Sequence, residues 1–471
     1  MFPLLALIVF LPFLFILPLL LLPERHSFSV STASALIVML VVIAASAFGL
    51  SQGFPSLSFQ QGYIQSIGAN LDLELTKYSN IFMVMSAIVL LAAAVVAKSF
   101  IKESKRIYNM LFLLTAGSTL GVFLSGNLFL FYLFWEISEV SMFFIIYIFG
   151  GYDRRYAAIK FLVYSIAASL LLLLGIMVIY SGLPTQTFTI TSIISQSASL
   201  PQGSQILAVV LLSIAFMIKI PVFPFHSWLP DAHTEAPTTG SMILAGILLK
   251  FGGYGILLMF LMLPMASAYA LPLAAIFGFS ALYSSLVAIR QTHLKRLIAY
   301  TSIVDMGIAS LGIASLGAFG IAGGLYAMLS HGIVISLLFM IVGAIDEAYG
   351  TMLIARLRGI VKNVPLLAYG FVFGVFALIG IPLTSGFVGD LLVFIGAFGV
   401  YSIGGIVPLA AILIIGAFLF LVIERAFLST SKSIEPYSNP GMDIKLTIAF
   451  LSVSTVLLGI APALLLSPFA L

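Results

Sequence analysis

Apolar runs of roughly twenty residues, each closed by charges or by Pro/Gly/Ser clusters, recur along the whole chain. A hydrocarbon core about 30 Å thick needs about 20 apolar residues per helix. Cutting the chain at its polar breaks gives fourteen such stretches. Spans 1 to 7 lie near 2–22, 30–50, 78–97, 107–125, 127–149, 156–181 and 205–222. Spans 8 to 14 lie near 240–263, 268–289, 296–316, 320–345, 366–400, 404–424 and 445–468. Span 12 is long and interrupted. The first run lacks a basic leader and a small-residue cleavage site, so it reads as a retained span. The two longest gaps, near 51–77 and 182–204, read as polar loops.

Charge placement tests this count. Arg25 follows span 1, and Lys98, Lys102, Lys105 and Arg106 follow span 3. Arg154, Arg155 and Lys160 follow span 5, and Arg290, Lys295 and Arg296 follow span 9. Arg356, Arg358 and Lys362 follow span 11, and Arg425, Lys432 and Lys445 follow span 13. The opposite loops hold a single base, Lys77. A wrong count would scramble this alternation. By the positive-inside rule the basic loops are expected on the cytoplasmic side and both termini outside.

Composition narrows the class. Of 471 residues 62% are hydrophobic and 8% charged, against about 25% charged in soluble domains. That excludes a soluble enzyme, a nucleic-acid reader and a disordered chain. The absence of cysteine excludes thiolate-held clusters, zinc fingers and disulfides.

A few charges fall where lipid should exclude them. Lys219 and Lys250 lie in spans 7 and 8, Glu136 and Glu139 in span 5, Asp305 in span 10 and Asp390 in span 12; His331 lies near the middle of span 11. A charge at mid-membrane costs about 2.5–3.5 kcal/mol on insertion scales. One reading is structural ion pairs, with terminal groups snorkelling. Buried pairs seldom repay their desolvation, so a set spread over six helices makes poor glue. The other reading is a proton path. Burial disfavours a charged lysine and a carboxylate beside it restores the charge. A pair about 4 Å apart interacts by roughly 4 kcal/mol at an effective dielectric near 20, enough to load or discharge the site.

Two helices carry breaks beside these charges. Span 7 reads MIKIPVFPFHSWLPD, with Lys219 just before Pro221 and Pro224; span 12 reads LIGIPLTSGFVGD, with Pro382 and Gly386 before Asp390. Such breaks free backbone groups that must meet protein partners or line a polar cavity. Paired interruptions also point to inverted repeats. Spans 4–8 and 9–13 are five helices each, so a tandem repeat of them is inverted. The expected organisation is three spans in 1–106, one five-helix repeat in 107–263, a second in 264–428, and a terminal span in 429–471. His226, Asp231, His233 and Glu235 superficially suggest a metal site, but the prolines around them favour a structural hairpin. Gly320/Gly324 and Gly370/Gly374 are expected close-packing points.

The segments NLFLFYLFWEISEVSMFFIIYIFGG (127–151), KIPVFPFHSWLPDAHTEAPTTGSMILAGILLKFGGYG (219–255), LKRLIAYTSIVDMG (294–307) and SGFVGDLLVFIGAF (385–398) resemble the antiporter-like membrane subunits of respiratory complex I. Among those they look most like the chain M type, with Mrp antiporter subunits as relatives. The resemblance implies proton translocation driven by redox chemistry in other subunits, with no redox cofactor or metal held here. Partners would be other membrane subunits, further antiporter-like ones included, in a prokaryotic cell membrane. It also implies roles: Glu136 and Lys219 as a switching ion pair, Lys250 as the central lysine, His331 on the connecting axis, and Asp390 as the terminal group. Three positions depart. Asp390 stands where this type usually has glutamate, and where other members have lysine. Asp305 stands where relatives often have histidine, and Glu139 is an extra acid one turn from Glu136. A Na+/H+ antiporter-type subunit of an Mrp or membrane-bound hydrogenase complex, and a purely structural scaffold, are the alternatives.

Overall fold

The structure, a computed structural model, describes residues 4–54, 57–64, 69–429 and 436–469. Lys432 of the basic loops lies outside them. The described chain is a mostly helical membrane bundle. Among the described residues thirteen helices are long and apolar enough to cross a bilayer, from Leu4–Leu21 to Met442–Ile460. Two shorter apolar helices, Pro365–Leu378 and Ser385–Tyr401, fill the place of span 12. The chain is a multi-pass membrane protein.

Span 7 is broken too. Its first part, Gln202–Lys219, ends at the lysine, and a second short helix runs Trp228–Glu235. Protein groups meet the freed backbone: Trp228 Nε1 donates to the Ile218 carbonyl at 3.1 Å, and Phe223 N donates to Ser280 Oγ of span 9 at 3.0 Å. In span 12 the chain turns at Gly380, whose φ of 72° is left-handed. A Cβ there would also stand 2.9 Å from Asp390 Oδ2, so only glycine suits both demands.

The gap before span 3 is no simple loop. Ser58–Ile64 and Ala69–Glu74 pair as an antiparallel hairpin. Gly126 N donates to the Asp72 carbonyl and Asn127 Nδ2 to the Asn70 carbonyl, both at 2.8 Å, clamping it to the start of span 5. The second gap contains a short helix, Ile190–Gln196.

Span 11, Ala318–Tyr349, is the central strut; its 32 residues make it about 48 Å long, and residues 322–345 are buried throughout. The second half of span 12 crosses it almost backbone to backbone. A Cβ on Gly323 would meet Val393 N at 2.5 Å, one on Gly389 would meet Ala327 Cα at 2.7 Å, and one on Gly396 would strike Gly320. Small residues give this close approach, where dispersion and weak polar contacts replace the hydrophobic effect. The expected glycine pairs do pack closely: Gly324 lies against Ala309 and Ile313, Gly370 against Ile341, and Gly374 against Leu338. Because backbone cannot retreat, Gly389→Leu is expected to destabilise by about 3 kcal/mol or more. The readout is a lowered melting temperature in detergent. Gly399→Leu, where a Cβ meets nothing within 4 Å, is the control that stays near wild type.

Candidate functional site

The break in span 7 leaves Lys219 at the C-terminal end of its first helix, where carbonyl dipoles favour a cation. The side chain is almost wholly buried. Its Nζ lies 2.7 Å from Glu139 Oε1, and Ser169 Oγ of span 6 donates to the other carboxylate oxygen at 3.3 Å. Three rings surround the ammonium: Trp135 at 5.2 Å, Phe251 at 5.6 Å and Phe161 at 5.8 Å from their centroids. Such contacts gain most when the cation is desolvated. The ion pair expected between Glu136 and Lys219 is therefore made by Glu139. Glu136 is only half-buried, and its Oε1 has no hydrogen-bond partner. The two acids are one turn apart on the same helix, about 60° from each other around it. Burial separates them: Glu139 is 2% exposed beside the lysine, whereas Glu136 stays half-buried.

Span 8 is not a plain helix. Thr238–Ile243 runs into a π turn, Leu244–Leu248, before Lys250–Met262. Lys250, fully buried just past that turn, donates to the Ala245 carbonyl at 2.5 Å. Its Nζ is also 2.6 Å from His331 Nδ1. Span 11 thus meets span 8 through the predicted lysine and histidine. His331 Nε2 is buried without a protein partner.

That histidine lines a small cavity together with Asp305, Ser330, Gly386 and Asp390. About 10 Å³ of it is open to the centre of a water molecule, roughly one water's worth. Ser330, in its wall, shares a 2.8 Å hydrogen bond with the Ser385 hydroxyl. Asp390 also borders a second cleft, between spans 12 and 13, lined by Gly380, Phe387, Leu409 and Ile412. It therefore stands between an inner polar space and an outer apolar one.

The HSWLPDAHTE segment, expected as a hairpin, is instead the short helix Trp228–Glu235. Asp231 pairs with Lys160 at 2.7 Å and with Arg296 at 3.0 Å, tying spans 6 and 10 together. His233 stacks on Phe339, ring centroids 4.6 Å apart. Glu235 accepts from Asp153 N at 2.9 Å. Among the described residues no three His, Cys, Asp or Glu side chains group as a metal would need. One base behaves unexpectedly. Lys295, placed with the basic loops, is 3% exposed and donates to the Ala236 carbonyl at 2.5 Å. That carbonyl belongs to the turn between the helices Trp228–Glu235 and Thr238–Ile243. Ser169, Ser330 and Ser385 are the site-side residues that sequence reasoning passed over; short hydroxyls in apolar helices were their only signal.

Residues 125–420 match the family described as NADH:quinone oxidoreductase/Mrp antiporter, transmembrane. The chain belongs to that family. Subunit M of the NADH-quinone oxidoreductase of Rickettsia felis is 33% identical over 485 residues, which cover 100% of this chain and 97% of that one. Chain 4 1 of the NAD(P)H-quinone oxidoreductase of Synechococcus sp. (strain JA-2-3B'a(2-13)) is 35% identical over 432 residues, covering 89% and 81% of the two chains. Respiratory complex I from Thermus thermophilus, solved with bound NADH, contains a chain that superposes with a TM-score of 0.91 at 26% identity, over 99% of this chain and 98% of that one. A chain of the Mrp complex from Dietzia sp. shares the fold, with a TM-score of 0.86 at 22% identity over 100% and 97% of the chains. Membership in the NADH:quinone oxidoreductase/Mrp antiporter family accords with charges buried inside a bundle whose surface is otherwise apolar.

Proposed function

We propose that this chain is a proton-translocating, antiporter-like membrane subunit of a complex I-like oxidoreductase that delivers electrons from NADH or ferredoxin to quinone. The redox chemistry belongs to other subunits, and further antiporter-like subunits are its neighbours in the membrane. This chain holds no redox cofactor of its own. The observation that carries the reading is a broken line of buried ionisable groups across the bundle. Glu139 pairs with Lys219, Lys250 contacts His331, and Asp305 and Asp390 share the histidine's cavity. Intramembrane ionisable groups that face one another rather than lipid are the material of proton relays.

In this reading the basic loops face the cytoplasm and both termini the outside. Protons enter near spans 7 and 8 and rest on Lys250. They pass through His331 to Asp305 and Asp390, and leave outward. The Glu139–Lys219 pair switches the affinity of Lys250, with Glu136 as a second acid one turn away. Spans 4–8 and 9–13 act as two repeats, each with its fourth helix interrupted beside an ionisable residue.

Asp390 gives the test. In the assembled complex, reconstituted in vesicles and followed with a pH-sensitive dye, Asp390→Asn is expected to slow proton uptake by about 100-fold, the effect of losing one positioned acid–base group. Asp390→Glu restores the ionisable group and is expected to restore uptake. Wild-type uptake by Asp390→Asn overturns the reading.

A further inference from the structure

Away from the buried relay, three arginines from three separate elements line one cleft at the basic end of the bundle. Arg290 follows the end of span 9, Arg358 lies in the segment after span 11, and Arg425 sits in a π turn, Ile423–Phe427, that ends span 13. The cleft is a built feature. The segment leading to Arg358 is pinned to the turn after Arg290: Leu294 N donates to the Met352 carbonyl at 2.8 Å and Ile354 N to the Thr292 carbonyl at 2.9 Å. His293 and Leu353 bridge between those bonds. The π turn, an irregularity common at functional sites, presents Arg425 from the third side.

No carboxylate within ion-pair distance answers these guanidiniums among the described residues, whereas nearby Arg296 is paired with Asp231. Three cations around one space repel one another until an anion enters. Gln291 and Thr292 add neutral hydrogen-bonding groups. The rest of the wall is apolar: Leu357, Phe418, Leu421 and Val422, with Leu421 opening onto the exposed apolar flank of span 13. The cleft measures about 580 Å³. Guanidinium forks match phosphate oxygens in pairs. A free ion would use only the arginines, while the apolar wall running into the lipid-facing flank calls for acyl chain.

We propose that this cleft binds the phosphate headgroup of an anionic phospholipid, its chains lying along spans 9 and 13. It ties the second five-helix group to the surrounding leaflet.

The test uses the purified full-length chain, stripped of lipid and titrated with phosphatidylglycerol, phosphatidylcholine or inorganic phosphate, with bound lipid counted by native mass spectrometry. Wild type is expected to hold one phosphatidylglycerol. The triple variant Arg290→Gln, Arg358→Gln and Arg425→Gln is expected to bind it about 100-fold more weakly, at about fivefold per arginine. Arg154→Gln with Arg155→Gln, in another basic loop, is expected to leave binding unchanged. Should the triple variant fail to fold, the single variants decide, each about fivefold weaker. Equal binding by wild type and variants overturns the proposal, and so does equal binding of phosphatidylcholine. Displacement of the lipid by equimolar inorganic phosphate makes the site one for a free anion. Cross-linking of Arg358 to a neighbouring subunit's carboxylate in the intact complex makes it a protein contact. Either result also overturns the lipid assignment.

Discussion

Lys250→Ala is expected to leave an assembled complex that still oxidises its electron donor but acidifies its vesicles no faster than the passive leak. The lysine touches both the π turn of span 8 and His331 of span 11. Without it, His331 Nδ1 and the Ala245 carbonyl lose their donor inside the bundle. Each such loss costs about 1–3 kcal/mol. Some destabilisation is thus expected alongside the functional loss. Lys250→Gln separates the two effects, since it keeps a hydrogen-bonding end of similar reach but cannot carry a proton. It is expected to melt near wild type and still fail to pump. Normal pumping by Lys250→Gln would remove the lysine from the relay.

The second large effect distinguishes the two acids of span 5. Glu139→Ala strands Lys219 in a buried, ring-lined site, and breaking a buried pair in this way costs about 3–5 kcal/mol. Both melting temperature and proton uptake are expected to fall. Glu136→Ala removes a half-buried group outside the ion pair and is expected to cost within about 1 kcal/mol. Glu139→Gln, which preserves shape, isolates the loss of charge. A larger melting shift for Glu136→Ala than for Glu139→Ala would reassign the partner of Lys219.

Much of the bundle could be read from the chain, for a definite reason. Lipid demands about twenty apolar residues per crossing, so hydrophobic runs mark spans more sharply than they mark soluble helices. Prolines and glycines at 221, 224, 382 and 386 betrayed the two broken helices, because lipid cannot satisfy freed backbone. Lys219, Lys250 and His331 were visible as charged or polar groups in costly places. Which acid pairs with Lys219 was not. That depends on the rotation of span 5 about its axis, which hydrophobicity all around a buried helix does not encode. The hairpin at Ser58–Glu74 escaped because a short strand pair carries too few residues for its alternation to stand out from a polar loop. Lys295 was taken for a surface charge because it is adjacent to a loop in sequence. Its burial against the Ala236 carbonyl is a tertiary fact.

The π turn at Leu244–Leu248 bears on how such a chain tolerates change. A turn of this kind holds one residue more than an α turn, and one residue is worth about 100° of rotation. Past it, Lys250 faces a direction that an unbroken helix from Thr238 would not give it. A descendant that lost one residue there could close the turn to an α turn, and Lys250 would keep its aim at His331, because the wide turn is what absorbs the extra residue. A second loss would find no slack to draw on and would swing the lysine about 100° from the histidine. The first deletion in this segment should therefore be tolerated where the second is not.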